Sequence, residues 1–308
     1  GTAFVAQKSG MDYVGPFTFN GIRTLIGALV LTPVIASLKR AKAAQGEMAA
    51  ESTGLSEEES KRPLLLGGLC CGIILFIAGS LQQVALQYTA AGKAGFITAL
   101  YIVLVPVLGI FLRQKVRPAI WACVAASAVG LFLLCVPAGE SFSTIGKGEI
   151  LLFISAIFFA VHILVIDHFV QNADGVQLSQ MQFLVCGLLS VPLIFWEAPS
   201  LASILACWFP IFYTGVLSVG VAYTLQVVAQ KNTDPTSASL ILSLESVFSV
   251  LAGAAILSER MSIRELFAAE GNGEIETRAA ARGQKRRRNS KKGDGKGCSK
   301  ETCGNQKN

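Results

Sequence analysis

Residues 238–257 read ASLILSLESVFSVLAGAAIL, twenty residues of which only Glu245 is charged. A helix crosses the ~30 Å hydrocarbon core of a bilayer in about 20 residues, so this run has the length and apolarity of a membrane span. Its lone carboxylate falls near the midplane, where an ionised group costs at least ~2.5 kcal/mol on insertion scales. The cost is avoided by protonation, by a cationic partner or by a water-filled cavity. Ser243, Ser246 and Ser249 lie close enough along the chain to hydrogen-bond the carboxylate. The expected role of Glu245 is to bind a cationic group or carry a proton. The structural alternative is a neutral Glu that joins helices through hydrogen bonds.

The rest of the chain has the same solvent preference. Of 308 residues, 52% are hydrophobic and only 15% charged, against about 25% charged in soluble domains; the mean hydropathy is +0.55. Eight segments have the length and apolarity of spans: 17–38, 64–87, 93–112, 118–137, 148–167, 179–196, 208–229 and 236–257. Most linkers are short, such as RQKVRP (113–118) and KNTDP (231–235). The one long linker, 39–63, is rich in Glu and Ser and is expected to be a mobile loop outside the bilayer. The opening GTAFVAQKSG reads as the last turns of a helix whose start is missing. The net charge of +6 sits entirely in residues 268–308, with eleven Lys/Arg against five Asp/Glu, leaving 15 of each sign in 1–267. That tail is expected to be disordered. It carries no folded nucleic-acid motif, so no nucleic-acid partner is expected. Six of the eight cysteines lie in or beside apolar runs and read as small hydrophobes.

The chain also repeats itself. At an offset of 144, residues 81–109 match 225–253 at ten of 29 positions, including Gln82/Gln226 and Thr89/Thr233. At an offset of 159, Pro33 meets Pro192. Two units of five spans each, an odd number, insert with opposite orientations. The expected fold is therefore an all-α polytopic membrane protein built as an inverted repeat, with units at 1–137 and 138–267, the first helix partial and the tenth missing. Alternate loops carry nine basic residues on one side and five on the other. The richer side, with Lys39, Arg113 and Lys231, is expected to be cytoplasmic, in a plasma or inner membrane.

GTAFVAQKSGMDYVGPFTFNGIR, QYTAAGKAGFITALYIVLVPVLGIFL and SASLILSLESVFSVLAGAAILSERMS resemble EamA-type permeases of the drug/metabolite transporter superfamily. The resemblance runs from residue 1 to about 267. It implies ten helices, both ends cytoplasmic, and export or exchange of small metabolites. The ninth-span carboxylate (Glu245) and the closing Glu259-Arg260 carry it most specifically. The chain departs from the pattern in having Ser246 rather than Pro after that Glu, and a hydrophilic tail where a tenth helix is expected. A frameshift past Phe267 would account for the tail.

Other polar residues within the spans are candidate cargo contacts. Arg23 lies about six residues inside its span, roughly 9 Å from the entry; it either snorkels to the interface or faces an anionic cargo group or Glu245. His162 is mid-span and titrates near neutrality, so it is either a proton relay or a hydrogen-bonded structural residue. Gln82, Gln83, Gln87, Gln226 and Gln230 suggest a stripe of amides along a central cavity, through the spacing of four in Gln83/Gln87 and Gln226/Gln230. Tyr101 aligns with Glu245 across the repeat and is its expected counterpart on the opposite wall. Asp167 beside His168 reads as a solvated span end. No phosphate-binding loop, catalytic triad or metal cluster appears, and no cofactor is expected. The expected function is a secondary transporter that moves a small molecule by alternating access in a lipid bilayer. A membrane-embedded enzyme and an inactive remnant are the alternatives. A homodimer is an open question at this level.

Overall fold

The computed structural model describes residues 2–44, 57–89, 91–111, 121–122, 124–126, 129 and 146–257. Most of the expected span 118–137 lies outside them, as do residues 45–56 of the long linker, the tail 268–308 and the side chains of Ser243, Ser246 and Ser249. The described residues form helices and no strand: α1 (Thr2–Gly10), α2 (Pro16–Ala44), α3 (Glu57–Ala85), α4 (Ala91–Ala99), α5 (Tyr101–Phe111), α6 (Lys147–Val170), α7 (Gly175–Glu197), α8 (Leu201–Ala206), α9 (Trp208–Tyr213), a π-helical segment (Thr214–Tyr223), α10 (Thr224–Gln230) and α11 (Pro235–Leu257). Six stretches among them are long and apolar enough to cross a membrane: Pro16–Ala41, Arg62–Ala85, Ala94–Phe111, Lys147–Val170, Gly175–Glu197 and Trp208–Gln230. Large apolar side chains such as Leu29, Phe111, Phe195 and Trp196 point outward, as expected where lipid is the solvent.

Short polar linkers start the helices where the sequence supplies caps. Asp174 accepts from the backbone N–H of Val176 and Gln177 at 3.1 and 3.0 Å. Asp234 accepts from Ser237 N at 2.8 Å, with Pro235 as the first residue of α11. Both are N-caps of the usual chemistry. In α2 the cap comes from far along the chain. Gly15 has no side chain to offer, and the Glu197 carboxylate at the end of α7 accepts from Phe17 N at 3.0 Å and Thr18 N at 2.7 Å.

The long linker is the first departure from expectation. Its ends are helical: α2 continues to Ala44 and α3 begins at Glu57. Residues 39–44 (KRAKAA) and 57–62 (EEESKR) are mostly strong helix formers, so each helix continues beyond its apolar run. Two spans are also irregular. The fourth breaks at Leu100, where Leu100 N bonds to Ile97 O at 3.2 Å and Val103 N to Leu100 O at 3.0 Å. The eighth widens into the π segment at Thr214, whose hydroxyl donates to Pro210 O at 2.7 Å and Ile211 O at 3.3 Å. That hydroxyl competes for the carbonyls an α-helix would use.

The bundle is held by close helix pairs. The tightest seams join α2 to α7 and α3 to both α6 and α7. Repeat-related helices pack on one another, α2 against α7 and α4–α5 against α11. Small residues permit the approach: a Cβ on Gly27 would stand 2.4 Å from Val219 Cγ1, so α2 and the π segment meet with no room for a methyl group.

Candidate functional site

A cavity of about 520 Å³ opens where α1, α2, α3, the α4–α5 break, α6, the π segment, α10 and α11 converge. The irregular spans shape its wall. Tyr101 sits directly after the break at Leu100, and Tyr213, Leu217, Ser218, Ala222 and Tyr223 line it from the π segment and its lead-in. Their spacing of four to five residues is that of a turn wider than the α-helix, which keeps one face of this span on the cavity.

Six of the nine residues singled out from sequence meet on this wall: Glu245, Arg23, His162, Tyr101, Gln82 and Gln226. The other three do not. Gln83 is fully buried one position round the helix from Gln82; its amide donates to Gln7 O at 3.3 Å and contacts Met11 Sδ at 3.3 Å. Gln87 is exposed, because α3 ends at Ala85 and the spacing of four no longer defines a helix face. Gln230 is buried at the end of α10, with no partner for its amide among the described residues. The expected stripe of amides is thus corrected to one repeat-related pair, Gln82 and Gln226. Gln82 Nε2 donates to Thr98 Oγ1 at 3.2 Å.

Arg23 corrects the snorkelling alternative. It is 7% exposed and turned into the bundle. Its Nε and Nη2 donate to Asn20 Oδ1 at 3.2 and 3.0 Å, and its guanidinium carbon stands 5.7 Å from the Phe19 ring centroid. α2 runs on for 21 residues after Arg23, and the nearer end is already held by the Glu197 cap. The guanidinium therefore finds its polar partner one turn back on its own helix. Glu245, half-buried at mid-depth of α11, shares the cavity with it.

His162 is 1% exposed, and its Nε2 lies 3.0 Å from Gln182 Oε1. A carbonyl oxygen only accepts, so in this assignment Nε2 carries a proton. Nδ1 has no partner among the described residues. Asp167 is half-buried and His168 exposed against the edge of Phe169; neither lines the cavity. Among the described residues, no group of three His, Cys, Asp or Glu is arranged to hold a metal.

Sequence reading missed several lining residues, notably Gln7, Thr98, Tyr213 and Tyr223. Asn20 was legible in principle, since it precedes Arg23 by three residues on one helix face. Glu197 had no local signal, because its partners lie 179 and 180 residues away.

Comparison with known proteins places this geometry in context. The model of a family described as EamA-like transporter family matches residues 1–136 and 146–269. A curated protein of Archaeoglobus fulgidus, named an uncharacterized transporter, is 27% identical over 278 residues, covering 87% of this chain and 78% of that protein. A solved structure described only as "Crystal structure of protein" shares the fold, with a TM-score of 0.69 at 18% identity, covering 92% of this chain and 96% of its own.

Proposed function

Because the chain belongs to the EamA-like transporter family, and is thus a multi-pass membrane transporter, we propose that it is a secondary carrier that exports a small metabolite by alternating access. The observation that carries this reading is the cavity itself. One carboxylate, one guanidinium, an imidazole, two repeat-related amides and three tyrosines converge on a single space inside the helical bundle. Intramembrane ionisable residues are expensive and mark substrate or ion pathways. Two odd-numbered repeats of opposite orientation supply the symmetric scaffold on which such carriers rock.

In this reading Glu245 is the binding or coupling carboxylate. Arg23, His162, Gln82, Tyr101 and Gln226 contact the cargo, and the side of the membrane richer in basic residues, Lys39 and Lys231 among them, is the cytoplasmic face of a plasma or inner membrane. The test is counterflow in proteoliposomes with the parent chain and Glu245→Gln. The expected result is exchange by the parent, and lost or uncoupled flux in a variant that still inserts. Proton-coupled flux at the parent rate in Glu245→Gln would remove Glu245 from the mechanism, and silence of the parent would refute the carrier.

A further inference from the structure

We infer that the cargo carries a single carboxylate and that Arg23 is the group that takes it. The inference deepens the carrier reading and rests on it. Apart from the titratable His162, Arg23 and Glu245 are the only charged side chains among the described residues lining the cavity. Arg23 is more than nine-tenths buried; its guanidinium donates to a neutral amide oxygen, and the charge of Glu245 reaches it across the cavity. Asn20 Oδ1 takes the inner edge, Nε and Nη2. The outer fork, Nη1 and the second N–H of Nη2, donates to no described acceptor.

A guanidinium fork matches the two oxygens of a carboxylate, and the pair is stronger in a site that excludes water. Asn20 is the positioning residue: by occupying the inner edge it leaves the outer fork for a ligand. The wall offers one cation, enough for one negative charge and not for a polyphosphate. Phe4, Tyr101, Phe159, Tyr223 and Phe248 provide flat apolar surface for the rest of the molecule. A volume of about 520 Å³ lies within the range of small-ligand pockets. With the cargo carboxylate on Arg23, Glu245 on the same cavity is the group that would take an ammonium of the cargo or a coupled proton.

The experiment measures binding to the full chain in nanodiscs with four probes that share one ring: 3-phenylpropanoate, 3-phenylpropanamide, 3-phenylpropylamine and phenylalanine. The parent should bind 3-phenylpropanoate about 10- to 100-fold more tightly than the amide, the range of charge-assisted hydrogen bonds. Arg23→Gln should erase that preference. The near-isosteric Asn20→Asp should do the same, because it supplies Arg23 with a resident carboxylate. The preference is a ratio within one sample, so partial misfolding of a variant cancels. Glu245→Gln should tighten 3-phenylpropanoate by removing the like charge, whereas a site built for cations would lose affinity for 3-phenylpropylamine. Phenylalanine binding at least as tightly as the simple acid identifies the cargo as amino-acid-like, and weaker binding identifies a plain organic acid. Preference for the amine, a carboxylate preference that survives Arg23→Gln, or binding of none of the four overturns the inference. Counterflow of an amine by the parent would overturn it while leaving the carrier reading intact.

Discussion

Replacing Glu197 tests whether one carboxylate from the second half of the chain caps the helix that carries Arg23. The donors at the start of α2 are fully accounted for. Pro16 has no N–H, Phe17 and Thr18 donate to Glu197, and Phe19 N bonds to Gly15 O at 3.0 Å. The Thr18 hydroxyl adds a third bond to Glu197 at 2.5 Å. A lost N-cap costs about 1 kcal/mol, and hydrogen bonds to charged groups run about 1.5–3 kcal/mol each. Glu197 is only half-buried, so water replaces part of what is removed. These bounds put Glu197→Ala at about 2–3 kcal/mol and Glu197→Gln, which keeps one acceptor oxygen, at about half that. Reversible unfolding in mixed micelles, followed by fluorescence of the neighbouring Trp196, gives both values. A double-mutant cycle with Thr18→Val isolates the hydroxyl bond, with an expected coupling of about 1–2 kcal/mol. Glu197→Ala within about 0.5 kcal/mol of the parent, or a coupling near zero, would refute the cap, because neither fits three short bonds to one ionised group.

Gly27→Val drives a branched side chain into Val219 and the Gly215 carbonyl, so it should cost about 1–3 kcal/mol by overpacking in the same assay; an unchanged midpoint would mean that α2 and the π segment do not touch. Gln182→Leu removes the acceptor from His162 Nε2 and should destabilise by about 1–2 kcal/mol through a stranded buried donor, while His162→Leu in that background should recover part of the loss. Single-cysteine variants retaining Cys71, Cys186 or Cys207, each 0% exposed, should react with a soluble maleimide far more slowly folded than denatured, and equal rates would contradict their burial. Cysteines at exposed Tyr88 and Lys231, which precede α4 and α11, should label from opposite faces of sealed vesicles, that at position 231 from the cytoplasmic face. Labelling from the same face would end the inverted-repeat reading.

Membrane spans are the most legible feature of such a chain, because a bilayer imposes both length and composition on them. The sequence-derived limits of the second, sixth, seventh and eighth spans fall within a few residues of the apolar stretches of α2, α6, α7 and α9–α10. What composition cannot register is backbone irregularity. The break at Leu100 and the widening from Thr214 leave hydropathy unchanged, since both depend on which carbonyl a given donor reaches. The site divides along the same line. Gln82 and Gln226 were found through the repeat, which does not depend on helix geometry. Gln87 was grouped through a spacing of four, which presumes an unbroken α-helix, and α3 stops at Ala85; Gln83 and Gln230 lie within helices but are buried away from the cavity.

Arg23 shows why burial of a single charge resists sequence reading in a membrane protein. Snorkelling is the expected fate of a lone cation some 9 Å inside an isolated helix, because nothing nearer than the interface hydrates it. Within the bundle two local features reverse the balance. Asn20, one turn back, supplies an acceptor at hydrogen-bond distance, and the cavity brings space and a carboxylate to the same depth. The way to the interface is also blocked, because the N-terminal turn of α2 is tied to α7 through Glu197. The acceptor of Arg23 is thus three positions away, whereas Glu197, which ties down its helix, and Glu245, which shares its cavity, lie in the other half of the chain. Hydropathy weighs neither, which is why a side chain that composition assigns to the membrane surface lies on the wall of the cavity.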